Sequence, residues 1–445
     1  MTVRIERDAL GEVEVPADAL YGAQTQRAVE NFPVNAQPTI GDHPDLVDGL
    51  LRCKLAAART NLEVGVLPTD VGDALLRVGR AAIGEDLSAA FPVHARHGGG
   101  GTSANMNANE VLANLAEESL GGRRGRYERV KPLEHVNLHQ STNDVYPTAL
   151  HLALLRRWEP VREALSGIIA ALQERRATFA AHPRLARSCL QDAVPTTYGE
   201  LLGGYVALIS RALGQVEQRV HALVEVPLGG TAVGDPSDVP DAYLASILDH
   251  LSSVCEGREF SHPDPLADGL QNADTIVAVS ADLAMLARAL IKVAKDLRLL
   301  SSGPEAGFAE VRLPAMQPGS SAMPYKVNPV IPEFVIQLCF RVIANHREAE
   351  LGLEHAELDV NVWEASTGIP TLESMALLET AGTTFAARCL QGLDVDAARN
   401  VAATQTLIPT LTELAQRVGH QEVEALVAEA RGDRERLWSL IRARR

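Results

Sequence analysis

The sequence predicts an all-α protein, an elongated bundle of long helices, and three observations carry that prediction. Aromatic residues make up 4% of a chain that is 46% hydrophobic, so the core is aliphatic, which suits Ala- and Leu-rich helices better than strands. Ile276, Val279, Leu283, Leu286, Leu290, Val293, Leu297 and Leu300 recur at alternating steps of three and four, the seam of a helix packed against other helices. From about Val136 the proline- and glycine-punctuated texture of the earlier chain gives way to long segments of this kind.

At 445 residues the chain is too long for one small core, and the texture divides it into 1–135, 136–393 and 394–445. The first is a mostly helical N-terminal domain with short runs such as Asp45–Leu62 and Val71–Leu87. The second is the central bundle of long helices. Its first run, Leu150–Leu172, holds Pro160, which is expected to kink or break it. A second helix opens at Thr197-Tyr198-Gly199-Glu200, which has capping-box spacing, and carries Leu202, Tyr205, Ile209, Ala212 and Val216 on one face. The Ile276–Leu300 seam ends at Gly303-Pro304. A fourth helix begins near Pro329 and holds Phe334, Val335, Leu338, Cys339 and Val342. Helices of ~25 residues span ~38 Å, and apolar positions on more than one face predict that other subunits complete the bundle. The third domain, 394–445, is a small helical appendix.

A formal charge of −16, from 41 Lys+Arg against 57 Asp+Glu, argues against a nucleic-acid partner but leaves room for a small anion held by a few local cations. Five scattered cysteines without C-x-x-C spacing fit reduced thiols in a cytoplasm. No apolar signal region opens the chain and no stretch reaches transmembrane length, so a soluble cytoplasmic protein with no membrane partner is expected. His94-x-x-His97 lacks a third ligand at useful spacing, so no metal is expected.

Three segments are too polar and glycine-rich to be packing alone. In His97–Asn107, four consecutive glycines let the backbone approach a ligand and leave amides free. No Gly-Lys-Ser/Thr follows to make a nucleotide cradle, and no cofactor is expected. Ser141-Thr142-Asn143-Asp144 reads equally well as a helix cap and as adjacent uncharged groups orienting a carboxylate or amine. In Pro318–Pro329, Asn328-Pro329 reads as an N-cap and first helical residue. Ahead of them, two serines and Lys326 stand beside a positive helix end, a good place for an anion.

Gly319-Ser320-Ser321-x-Met323-Pro324-x-Lys326-x-Asn328-Pro329 resembles the signature of the aspartase/fumarase superfamily. The resemblance continues through VPADALYGAQTQRAVENFP, GGGGTSANMNANEVLAN, QSTNDVYPT, LQDAVPTTYGE and ELDVNVWE, and covers roughly residues 8–395 in order. The Ser-Thr-Asn-Asp and Tyr-Pro-Thr pieces are closer to aspartate ammonia-lyases, whereas Gly-Ala-Gln-Thr-Gln-Arg leans towards fumarases. The resemblance implies a homotetramer with each active site assembled from three subunits, and a small dicarboxylate substrate. By motif position it implies Ser320 as general base, with Lys326 and Asn328 on the carboxylate flanking the abstracted proton. Thr102, Ser141, Thr142, Asn143, Ser188, Cys189 and Ser321 complete the substrate-binding set.

The chemistry needs those residue types. Elimination from a substituted succinate removes a weakly acidic proton and builds a doubly charged aci-carboxylate, so stabilising that charge supplies most of the acceleration. A serine serves as base only where cations and amide donors stabilise its oxyanion. Three departures bear on the leaving group. Cys189 stands where the family carries His or sometimes Gln; it could be a nucleophile, but with no neighbouring base it reads as a small pocket residue. Glu333, matching the acid that pairs with that histidine in fumarases, is kept without its partner. Tyr325 replaces a small residue, as in adenylosuccinate lyases. The expected function is elimination of ammonia from L-aspartate to give fumarate. Fumarate hydration, a lyase acting on another C2-substituted succinate, and a non-catalytic helical scaffold are the alternatives; Ser320, Lys326 and Asn328 would be superfluous in a scaffold.

Overall fold

The computed structural model describes residues 2–444. Helix accounts for 62% of the chain, and among the described residues the strands form three small antiparallel pairs. The expected all-α architecture is what the chain adopts. The order is β1 (Val3–Asp8), β2 (Gly11–Pro16), α1 (Ala23–Asn31), α2 (Pro44–Glu63), α3 (Thr69–Ala82), α4 (Thr102–Ser119), α5 (Thr142–Thr178), β3 (Pro183–Ser188), β4 (Gln191–Thr197), α6 (Tyr198–Ala222), α7 (Asp241–Val254) and α8 (Asp268–Gln271). It continues with α9 (Asp274–Leu300), β5 (Val311–Arg312), α10 (Val330–Glu354), α11 (Glu364–Phe385), β6 (Asp394–Val395), α12 (Ala397–Thr404), α13 (Leu407–Val418), α14 (His420–Ala430) and α15 (Arg434–Arg442).

The chain forms two compact units. One comprises the residues up to Val161, Gly214–Met285 and Phe340–Leu377; the other comprises Arg162–Leu213, Leu286–Cys339 and Leu378 onward. Each passage between them falls inside a helix. In the first unit α2 packs against α3 and α7, and α4 against α1 and α3. In the second the β3–β4 hairpin lies against α12 and α13, and Leu414, Leu426, Leu437 and Ile441 close a small core among α13, α14 and α15.

The periodicities translate into burial. All eight seam residues of α9, from Ile276 to Leu300, are buried, at roughly 1.5–3 kcal/mol for each Val, Ile or Leu removed from water. The α6 face of Leu202, Tyr205, Ile209, Ala212 and Val216 is buried too, and Thr197 caps that helix by accepting from the Glu200 amide at 3.2 Å. On α10, Val335, Cys339 and Val342 are buried while Phe334 is exposed.

Two local expectations shift. Pro160 does not break its helix: α5 runs through both Pro147 and Pro160, because two missing amides in a helix of 37 residues are outweighed by the side chains packed along it. Leu154, Val161 and Leu165 are all fully buried. Asn328 does not cap α10, as described below. Among the described residues no helix is long and apolar enough to cross a membrane.

Candidate active site

In the first unit the four-glycine stretch turns into α4. Gly99, Gly100 and Gly101 have φ of +90°, +57° and +86°, the left-handed region that glycine enters without steric cost. At Gly101 a side chain is excluded twice over, because a Cβ there would lie 2.4 Å from the Tyr146 ring. The glycines therefore seat Thr102 at the start of α4, with its hydroxyl donating to the Gly99 carbonyl at 2.8 Å. Thr102 and Ser103 line a cleft of about 460 Å³ with Gln24, Arg27, Phe32 and Gly98. Arg27 is held there by two bonds to the Asp8 carboxylate, at 2.7 and 2.9 Å.

Ser141 and Asp144 act as a helix cap. Ser141 Oγ accepts from the Asn143 amide at 3.2 Å, and Asp144 Oδ1 accepts from the Ser141 amide at 2.9 Å. The second oxygen of Asp144 takes the amides of Gly229 and Thr231, at 2.9 and 3.1 Å. Asn143 donates to the Ala232 carbonyl at 2.7 Å. Thr142 differs: its Oγ1 accepts from Asn105 Nδ2 at 3.0 Å, and among the described residues its own proton has no protein acceptor. The structural and the ligand-binding readings of this segment thus fall on different residues.

Beneath it lies Lys54, a group that sequence reasoning missed. It is 1% exposed and donates to Asn137 Oδ1 at 2.9 Å and Gln140 Oε1 at 3.0 Å. Burial pulls its ammonium down to about 7 against the attraction of Asp144, while burial pushes the Asp144 carboxyl up to about 6 against its three backbone donors. The signal was present: Lys54 shares an i, i+3, i+4, i+7 stripe of α2 with Val47, Leu50, Leu51 and Ala58, all of them buried.

In the second unit Ser188 and Cys189 stand at the tip of the β3–β4 hairpin, which the helical pattern did not disclose. Ser188 pairs with Gln191, so Cys189 and Leu190 form the whole turn, with φ of +52° and +61°. Two left-handed residues suit a type I′ turn, but each non-glycine costs of order 1 kcal/mol or more there. The hairpin is anchored by Arg187, whose guanidinium pairs with the buried Glu310 carboxylate and stacks 4.2 Å from the Phe308 ring centre. The Glu310 carbonyl in turn accepts from Tyr198 Oη at 3.2 Å and Asn400 Nδ2 at 2.8 Å.

The Pro318–Pro329 loop is closed by Gly319 N donating to the Lys326 carbonyl at 2.7 Å and by Asn328 Nδ2 donating to the Gly319 carbonyl at 3.0 Å. That second bond takes the Asn328 side chain away from the helix end, and Pro329 supplies the first helical carbonyl to Glu333 N at 3.3 Å. Inside the loop Ser320 Oγ accepts from the amides of Ala322 and Met323, each at 3.1 Å. Two N–H groups aimed at one hydroxyl oxygen favour its deprotonated form. Ser321 and Lys326 are exposed beside it. Glu333, four residues beyond Pro329, pairs with Arg298 at 3.0 Å.

This combination defines a lyase: long seamed helices, a Gly-Thr-Ser turn into a helix, a Ser-Thr-Asn-Asp cap and an amide-lined Ser320 loop. The chain belongs to the lyase family of the aspartase/fumarase superfamily, whose profile matches residues 11–344. It is 36% identical to an aspartate ammonia-lyase of a Bacillus species over 96% of this chain and 91% of that protein. To the aspartate ammonia-lyase of Pseudomonas aeruginosa it is 38% identical, over 94% of this chain and 88% of that one. A solved fumarate lyase:delta crystallin of Brucella melitensis superposes with a TM-score of 0.93 at 40% identity, covering 96% of this chain and 93% of that one. A class II fumarase of Schistosoma mansoni reaches 0.93 at 29% identity, covering 99% and 95%.

Removing one partner from a buried ion pair leaves an uncompensated charge. Arg187→Ala should therefore lower the Tm by about 5 °C or more, and replacing both partners as Arg187→Met with Glu310→Gln should recover most of the loss. Calorimetry of the three variants checks this; an unchanged Tm in Arg187→Ala would mean that the pair does not anchor the hairpin.

Proposed function

We propose that this carbon–nitrogen lyase eliminates ammonia from L-aspartate to give fumarate, with Ser320 as the base. The observation that carries the reading is the pair of amides, Ala322 and Met323, aimed at Ser320 Oγ. In the proposed step Ser320 Oγ takes the proton from the carbon beside one substrate carboxylate. Lys326, Ser321 and Asn328 hold the charge that builds on that carboxylate, and the C–N bond then breaks to release ammonia. Thr102, Ser141, Thr142, Asn143, Ser188 and Cys189 orient the remaining groups; Thr142 is the best placed of these, since its hydroxyl accepts from Asn105 and keeps its proton for a carboxylate. The names of the relatives support aspartate as substrate.

Ammonia is favoured over water as leaving group by two features. Cys189 is a weakly hydrogen-bonding thiol where a histidine would protonate a departing hydroxyl, and Glu333, the acid that would orient such a histidine, is engaged by Arg298. The working form is a homotetramer whose sites draw on three copies: one gives the Thr102 and Ser141–Asn143 segments, which the Asn105–Thr142 bond joins within a single chain, another the Ser188–Cys189 hairpin tip, and the third the Ser320 loop. Support comes from the family resemblance and from apolar groups left uncovered in the single chain, among them Met323, Tyr325 and Val327 of the loop and Phe334 and Phe340 of α10. The five cysteines are unpaired, which supports a reducing cytoplasm as its location.

Following fumarate absorbance, L-aspartate should be turned over on the order of 10²-fold faster than malate, the contribution of one missing general acid. Equal kcat/KM on both would promote the hydratase, and activity only on another substituted succinate would promote that substrate. Ser320→Ala should lower kcat by about 10³-fold or more with fumarate binding preserved; retention of a tenth of the activity would remove Ser320 as base. Light scattering should give four times the 47.7 kDa chain mass, and tetramers remixed from weakened Thr142→Ala and inactive Ser320→Ala chains should exceed both parents in activity at subsaturating L-aspartate. An active monomer would overturn the shared site.

A further inference from the structure

We infer that Lys54 is a positioning residue: through Asn137 and Asn105 it sets the direction of the hydrogen bond at Thr142, turning that hydroxyl's proton outward as a donor to a substrate carboxylate.

The argument is one of hydrogen-bond polarity. An amide side chain presents a carbonyl oxygen on one side and an NH₂ on the other, and in a buried cluster of asparagines the whole set can reverse unless one member is pinned. Lys54 pins it. A protonated lysine only donates, so the Asn137 atom 2.9 Å from its Nζ must be the carbonyl oxygen. Asn137 Nδ2 then faces the Gln140 carbonyl, at 3.0 Å, which fits that assignment. The same Asn137 oxygen lies 3.2 Å from Asn105 and 3.1 Å from Asn109, so both must turn their NH₂ groups to it. The second hydrogen of the Asn105 NH₂ points at Thr142 Oγ1, 3.0 Å away, and that oxygen must accept. Its own proton is thereby left to a ligand.

The arrangement has a cost, which argues against a purely structural role. The Oδ1 atoms of Asn105 and Asn109 are both buried without a hydrogen-bond partner, and each such orphan is unfavourable. Reversing Asn105 would turn its oxygen towards the Asn137 oxygen and leave its NH₂ in the position that has no partner, and the proton of Thr142 would be consumed inside the protein. The donor-only group at the head of the chain thus leaves the Thr142 proton free while two amide oxygens stay unpartnered. A neutral Lys54 still carries two N–H groups for its two acceptors.

This inference rests on the reading of Thr142 as a substrate ligand, and a double-mutant cycle separates the two. Lys54→Met removes the donors at similar length. Its KM for L-aspartate should rise about tenfold, the scale of one hydrogen bond to a charged group, with kcat within about threefold of wild type because the contact serves ground and transition states alike. Thr142→Val should raise KM by at least as much. In the Thr142→Val background, Lys54→Met should change KM by less than about twofold, since the hydroxyl it orients is gone. Full additivity would assign Lys54 to general stability and overturn the inference. So would an unchanged KM in Lys54→Met beside a raised one in Thr142→Val, with the functional reading left intact. An unchanged KM in Thr142→Val would instead remove Thr142 as a ligand, and the inference with it. Should Lys54→Met fail to fold, Asn105→Leu cuts the same chain one link later and takes its place in the cycle, with the same expected non-additivity and the same overturning result.

Discussion

An ammonium group taken out of water must find acceptors within the protein or give up its proton. Lys54 meets both pressures at once, and the 137–144 segment takes its arrangement from the outcome. Its hydrogens go to Asn137 and Gln140, which orients the segment leading into α5. The charge that attracts Lys54 is Asp144, itself fully buried and held by the amides of Ser141, Gly229 and Thr231. Asp144 thus starts α5, ties that start to the 229–231 turn and balances Lys54, three tasks for one carboxylate. Such a pair is by itself weak evidence for stability; its geometric consequence is the orientation of the segment that carries Thr142.

The second unit solves a similar problem with different means. Cys189 and Leu190 occupy a turn that glycine or asparagine would enter more easily, and Tyr325 stands in the same left-handed region beside Ser320. His139 repeats the pattern next to Gln140 in the first unit. Non-glycine residues held at positive φ are thus found in three of the segments that carry candidate ligands, and strain of this kind persists only where the surroundings over-determine it. The surroundings are visible. Arg187 and Glu310 lock the hairpin behind its tip, and the Gly319–Lys326 and Asn328–Gly319 bonds close the loop around Ser320.

The capture of Glu333 by Arg298 bears on chemistry. A carboxylate in an ion pair is a poorer partner for an incoming histidine, so restoring a histidine at position 189 would not by itself rebuild a water-activating relay. The change at Cys189 and the pairing at Glu333 point the same way, and they arise on different elements, β3–β4 and α10.

Much of the molecule was legible in its sequence, because helices and caps are local. Eight residues at alternating steps of three and four are enough to bury the α9 seam whatever it packs against, and Thr197 and Glu200 lie within reach of each other by their spacing alone. The candidate ligands were also legible, since a Ser-Ser-x-Met-Pro-x-Lys-x-Asn-Pro run keeps its own chemistry within a dozen residues. What tertiary structure decided is every relation between residues far apart in sequence: Lys54 with Asn137, Asn105 with Thr142, Arg187 with Glu310, Arg298 with Glu333. A hydrogen bond has a direction and a buried charge needs a counter-charge, but neither leaves a period in the sequence. Only the packing that brings donor to acceptor determines which groups are occupied by the protein and which remain for a ligand.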